Sequence, residues 1–299
     1  MFPLGRYGFG CAALFCCFLP CFSIYCFYKP AERGGSTVID TERFLQARKE
    51  ALGRVGGAGG IGTLSEKALH AALKSYYEPD FESREVKVGG FVADIVGENG
   101  IIEIQTRGFD RLGRKLDAFL EAARVTVVYP VVPKRGLCWV DPETGEIFEK
   151  RKSPKKGAAY DVFPELYKIK NQVMHPNFRL CIPLLEVTDY KYLDGYGKQK
   201  KLRATRGERI PEALLGEVIC ESRWDYLNLL PEDLPEPFTT KTLAKAMRRA
   251  QTQAQCAANV LYSMGVLERV GKEKNAYLYV KKQEEENLTK DFSPWLPEA

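Results

Sequence analysis

Residues 91–106 read FVADIVGENGIIEIQT, two apolar β-type runs separated by a turn. The first, Phe91 to Val96, carries Asp94, and the second, Ile101 to Thr106, carries Glu103 and Gln105. Glu98-Asn99-Gly100 between them is turn chemistry, so the two runs form a hairpin. Side chains alternate along a strand, which puts Glu103 and Gln105 on one face. If Asp94 faces the same way, two carboxylates meet across neighbouring strands. They repel each other unless a cation lies between them, and hard oxygen ligands of this kind suit Mg²⁺ or Mn²⁺. A carboxylate flanked by Val92, Ala93, Ile95 and Val96 is costly in a sheet interior unless it is paired or metal-bound. Gln105 also reads as a polar residue at a strand end.

Working outward, Glu85 to Val88 is a third short strand, joined to the first through Gly89-Gly90. Before it, Leu69, Leu73 and Tyr76 recur at helical spacing, which predicts an amphipathic helix over Leu64 to Tyr77. After the hairpin, Leu112, Leu116, Phe119, Leu120 and Ala123 mark a second helix, and Val125 to Val132 is an apolar run of the kind buried on both faces of a sheet. Helix, strands, helix, strand is an α/β order. This order, with Gly62-x-x-x-Glu66, Asp94 and Glu103-Ile104-Gln105, resembles the restriction-endonuclease-like (PD-(D/E)xK) nuclease superfamily over about Thr63 to Val132. The resemblance implies a mixed sheet flanked by helices, metal binding by Asp94 and Glu103, and assistance from Glu66 on the first helix. It also implies a Lys where this chain has Gln105, a residue that helps orient or activate the attacking water. Arg107 or Lys115 are the candidates to replace it. Thr63-Leu64-Ser65-Glu66 is equally a capping box, in which Glu66 only ties down the helix start. His70 and His175 lack ligand spacing and read as ordinary surface or packed histidines.

Beyond Val132 the chain turns basic. Residues 134 to 209 carry 17 basic and 10 acidic side chains, residues 239 to 282 carry 9 and 2, and the remainder sums to −9. Two basic blocks on an otherwise acidic chain point to a polyanion partner. Asp141-Pro142-Glu143-Thr144-Gly145 predicts a hairpin turn, Pro164 to Ile169 a helix, Arg179 to Val187 a strand, and Glu212 to Cys220 a helix. Pro231, Pro235 and Pro237 punctuate a linker.

In the C-terminal unit, Thr239 or Thr240 caps a helix through Leu243, Ala244 and Met247. A turn at Arg248-Arg249-Ala250 leads into a second helix from Thr252 to Met264, ended by Gly265. Val266 to Val270 and Tyr277 to Val280 follow as strands. This order, with Leu243-Ala244 and Leu261-Tyr262-Ser263-Met264-Gly265-Val266-Leu267, resembles a winged helix, a small α+β DNA-binding domain. The resemblance implies that Gln251, Thr252, Gln253, Gln255 and Asn259 face a major groove, and that Arg248, Arg249, Lys272 and Lys274 hold phosphates.

Cysteine is concentrated before residue 27, and the later cysteines are scattered singly, which fits a reduced, cytoplasmic protein. From Tyr7 to Tyr28 there is no charge. Two readings stay open: a membrane anchor through residues 7–28, which would make a membrane a partner, or a mis-set start with translation from Val38. The expected organisation is an apolar Cys-rich segment (1–37), a helix and Gly-rich hinge (38–61), a nuclease-like core (62–133), its basic extension (134–237), a winged helix (238–282) and an acidic tail (283–299). The function this implies is a Mg²⁺- or Mn²⁺-dependent nuclease acting on DNA, double-stranded in the first instance; a homodimer is compatible with it. The alternative keeps both folds without the chemistry, as a DNA-binding regulator or scaffold.

Overall fold

The computed structural model describes residues 39–55, 65–195 and 204–284. The apolar segment at 1–37, the Gly-rich hinge, Lys198, Lys200, Lys201 and Arg203 of the second basic run, and most of the acidic tail lie outside the described residues. Two amphipathic helices come first, α1 (Thr41–Val55) and α2 (Ser65–Tyr77). They bury Phe44, Ala47 and Ala51 from one, and Leu69, Leu73 and Tyr76 from the other. β1 (Arg84–Val88), β2 (Phe91–Gly97) and β3 (Gly100–Ile104) then form an antiparallel meander. Its turns fall on glycines in the left-handed region: φ is +55 and +81° at Gly89 and Gly90, and +102° at Gly100. α3 (Gly113–Ala122) carries the chain back to β4 (Val125–Val128), which pairs parallel to β3.

β5 (Val131–Val140) continues from β4 after Tyr129-Pro130, and both lie parallel to β7 (Phe178–Tyr192). β8 (Thr205–Cys220) runs antiparallel along the other edge of β7, so β4 and β5 share the first edge. β6 (Arg151–Lys152) pairs with β5, and the turns α4 (Phe163–Leu166) and α5 (Lys170–Val173) precede β7. The result is an α/β architecture on one mixed sheet. Successive residues of its inner strands alternate between two apolar layers. Val127 and Leu180 join Leu116, Phe119 and Leu120 of α3, whereas Val128 and Cys181 join Phe44, Leu69 and Leu73 of α1 and α2. That is why Val125 to Val132 is apolar throughout rather than alternating.

The helix expected over Glu212 to Cys220 is instead the second half of β8, paired with β7 from Leu185↔Leu214 to Leu180↔Cys220 with one bulge at Leu215. The apolar run Ala213-Leu214-Leu215 has good helical propensity, but the long edge of β7 offers it a full ladder of hydrogen bonds, and tertiary pairing wins over propensity.

α6 (Thr240–Met247) is capped by the Thr239 hydroxyl, which accepts from the Thr242 N–H. α7 (Gln251–Ser263) and the strands β9 (Leu267–Glu273) and β10 (Ala276–Lys281) complete the chain, with Gly265 at φ +74° after α7. This unit does not stand apart. Ala254, Ala257, Ala258 and Leu261 of α7 belong to the same buried cluster as Phe163 and Leu166 of α4. Among the described residues, no helix is long and apolar enough to cross a membrane.

Candidate functional site

The β2–β3 register, Ile95↔Ile102 and Val96↔Ile101, continues to bring Asp94 opposite Glu103. There the side chains replace the backbone ladder. The Asp94 N–H donates to Glu103 Oε1 (3.1 Å), and the Ile104 N–H donates to Asp94 Oδ2 (2.9 Å). The remaining carboxylate oxygens are engaged from opposite layers of the fold. Lys74 of α2 reaches Asp94 Oδ1 at 3.1 Å, whereas Lys115 of α3 reaches Glu103 Oε2 at 2.6 Å. The carboxylates are therefore neighbours without sharing one solvent-facing pocket: Glu103 is 2% exposed and Asp94 17%.

Environment separates the two groups. Burial acts on Asp94 as on any acid, but the hydrogen bond and charge of His70, the Ile104 amide and Lys74 outweigh it and hold this carboxyl well below its ordinary value. For Glu103 burial, helped by the Asp94 charge, wins over Lys115 and raises the carboxyl. Two adjacent acids pushed apart in this way are the raw material of acid–base division of labour.

His70 is the residue that sequence spacing missed. Its Nε2 lies 3.1 Å from the Ile104 carbonyl oxygen and 3.4 Å from Asp94 Oδ2. His70 and Lys74 are four residues apart on α2, so they project from the same side of the helix toward Asp94. A lone His four residues before a Lys is an ordinary helical pattern, and only the packing of α2 against β2 and β3 gives it a role.

A cavity of about 860 Å³ begins at this point, lined by His70, Ile104, Gln105, Arg107, Arg111 and Lys168 among others. Gln105 lies on its wall with its amide donating to the Arg107 carbonyl at 2.6 Å, so it is turned along its own strand. Glu66 is in the first turn of α2, and its side chain lies outside the described residues.

Among the described residues, no three His, Cys, Asp or Glu side chains converge as a ligand set. The set that does converge uses main chain: His70 Nε2, Asp94 Oδ2 and the Ile104 carbonyl, at the 3.1 and 3.4 Å spacings around the imidazole nitrogen. Ligands at ~2.1 Å on adjacent octahedral positions are about 3 Å apart, so the two spacings around Nε2 suit a divalent cation in the tautomer that leaves Nε2 without a proton. A mixed nitrogen and oxygen set favours Mn²⁺ over Mg²⁺. Glu103, covered by Lys115, stands behind this set.

The residues expected to face a groove or hold phosphates divide in two. Gln251, Thr252, Gln255, Arg248, Lys272 and Lys274 are exposed, and Gln253 is half-buried. Arg249 and Asn259 are instead used internally. Arg249 pairs with Asp161 (Nε to Oδ1, 2.7 Å), and Asn259 accepts from Lys170 at 3.3 Å. A second exposed cluster was not legible from motif spacing: Arg269 stacks between Tyr262 (4.0 Å) and Tyr277 (4.1 Å).

A family model described as a domain of unknown function (DUF8091) matches residues 67–221. The chain is also similar to a protein of Treponema pallidum (strain Nichols) named as an uncharacterized protein, with 31% identity over 190 residues, covering 62% of this chain and 74% of that protein. No solved structure matches the chain.

Proposed function

We propose that this chain, which belongs to the DUF8091 family, is a divalent-metal-dependent phosphodiesterase acting on DNA, with a restriction-endonuclease-like core and a winged helix that holds the substrate. The observation that carries the reading is the meeting of His70 Nε2 with Asp94 Oδ2 and the Ile104 carbonyl beside a cavity that His70 and Ile104 line together with Arg107 and Arg111. The element order supports it: a helix, an antiparallel meander, a second helix and a strand parallel to the third is the order that the resemblance implies.

His70, Asp94 and the Ile104 carbonyl would hold the metal, which when bound lowers the pKa of a water and offsets charge on phosphoryl oxygens. Asp94, which keeps the Ile104 amide and the Lys74 ammonium as partners when His70 turns to the metal, supplies the negative ligand. Lys115, seated on Glu103 from α3, brings back the cation that is missing at Gln105. Arg107 and Arg111 on the cavity wall would attract and orient the phosphate, whereas Lys168 is held by Glu165 at 2.9 Å and Asp110 at 3.5 Å. One observation favours the scaffold reading: all four carboxylate oxygens of Asp94 and Glu103 are already met by an ammonium, an imidazole or an amide.

The two readings separate when the full chain is incubated with labelled single-stranded and duplex DNA in Mn²⁺, in Mg²⁺ and in EDTA. The phosphodiesterase reading expects cutting that is faster in Mn²⁺, absent in EDTA, abolished by Asp94→Ala and lowered about 10²–10³-fold by Lys115→Ala. DNA binding without cutting in either metal overturns it and leaves the scaffold.

A further inference from the structure

We propose a second site on this chain, a phosphate-binding face formed by Arg135 of β5 with Arg206 and Arg209 of β8. It lies on the extension of the sheet beyond the core and does not depend on whether the carboxylate site cuts. Register brings its parts together: β7 separates β5 from β8, pairing Leu137↔Asp189 on one edge and Asp189↔Arg209 on the other. Arg209 takes Asp189 in a two-pronged pair, Nε to Oδ1 at 2.6 Å and Nη2 to Oδ2 at 3.2 Å. Arg135 is left with a looser contact to the same carboxylate, 3.6 Å from its Nη1, and its Nε is buried with no partner among the described residues.

The charge balance on this face is uneven. Two guanidinium groups, Arg135 and Arg209, share the Asp189 carboxylate, the charge of a third, Arg206, acts on Arg135, and Lys191, in register with Arg206, lies over the Trp139 ring at 5.0 Å. The other carboxylate nearby on β8, Glu208, is buried, which raises it and disfavours its charged form. Burial, with the charges of Arg209 and Arg206, pushes the Arg135 guanidinium down against the pull of Asp189. Arg206 is exposed, and so are Arg151 and Lys152 of β6, which pair beside Gly136 and Leu137 of β5. Like charges gathered at this density are stabilised by a bound anion, and planar guanidinium forks match phosphate oxygens two at a time.

The phosphate could come from a nucleic-acid backbone or from a small free phosphate, and two measurements in EDTA distinguish the sources. A short fluorescein-labelled duplex is titrated with the full chain at several salt concentrations, and thermal unfolding is followed with and without inorganic phosphate. Arg135→Gln and Arg206→Gln are each expected to weaken duplex binding about tenfold and to reduce its salt slope by about 1. Loss of the phosphate-induced rise in Tm alone would assign the face to a free phosphate. Arg206 is exposed, so Arg206→Gln should fold with an unchanged Tm and remains informative if Arg135→Gln does not. Unchanged duplex affinity and salt slope together with an unchanged phosphate response in Arg206→Gln overturn the proposal. The nuclease reading is untouched by that result, because no metal is present.

Discussion

Glu217 on β8 accepts from the Tyr77 hydroxyl at 2.5 Å, and the same hydroxyl lies 3.4 Å from Cys181 Sγ. Burial raises the Glu217 carboxyl above its ordinary 4.5, against the Tyr77 and Cys181 hydrogen bonds and the Arg43 charge. A carboxyl that is harder to ionise folded than unfolded stabilises the fold most below that ordinary value, and the contribution is lost as pH rises through the folded-state value. Glu217→Gln keeps an acceptor for Tyr77 and has no charge to bury. Urea unfolding of both proteins at about pH 5 and about pH 8 should show the wild type losing stability relative to the variant at the higher pH; a difference that does not change with pH would refute this. Titration of this kind follows from packing. Asp94 and Glu103 were legible in the sequence because charge inside an apolar strand is conspicuous. His70 was not, since its partner is a main-chain oxygen 34 residues away.

At the scale of elements, the β2–β3 turn sets the register on which Asp94 and Glu103 depend. Gly100 sits there at φ +102°, and a Cβ would lie 2.3 Å from the Arg124 carbonyl oxygen, the acceptor for the Ile101 N–H. Gly90, at φ +81°, has open space around it. Gly90→Ala should therefore cost about 1 kcal/mol from backbone strain, and Gly100→Ala about 2 kcal/mol or more, because the connection into β4 must also move. Denaturant midpoints at unchanged m-values measure this, and equal losses would show that Arg124 yields freely. The meander, α2, α3 and β4 were all readable, since periods of two and 3.6 and Gly-rich turns are local signals. β8 was not. Its pairing with β7 spans residues far apart in sequence, and with β7 as its one partner among the described strands, Pro211 interrupts no ladder on the outer edge.

Across the whole molecule, the C-terminal unit reads as a separate module in sequence yet is seated on the core. Its caps, its terminal glycine and its apolar helix face are local signals of its fold, but that face is completed by α4, which no spacing rule connects to α7. Polar contacts lock the seat: Arg249 grips Asp161 with two nitrogens (2.7 and 3.0 Å), donates to the Lys156 carbonyl at 2.8 Å and lies over the Tyr160 ring. Asp161 in turn accepts from the Ala158 N–H at 2.9 Å, so one carboxylate orders both the loop before α4 and the approach to α7. The described residues form a single compact unit, and a shared apolar cluster makes its parts unfold together. Arg249→Ala removes the fork and leaves Asp161 half-buried without its cation, at a cost of about 1–3 kcal/mol. Calorimetry should show one transition in both proteins, with a lower midpoint in the variant, and limited proteolysis should cut the variant faster near Pro231 to Pro237. Two transitions in the wild type would mean that the core is not shared, and that the exposed face of α7 moves independently of the cavity at His70.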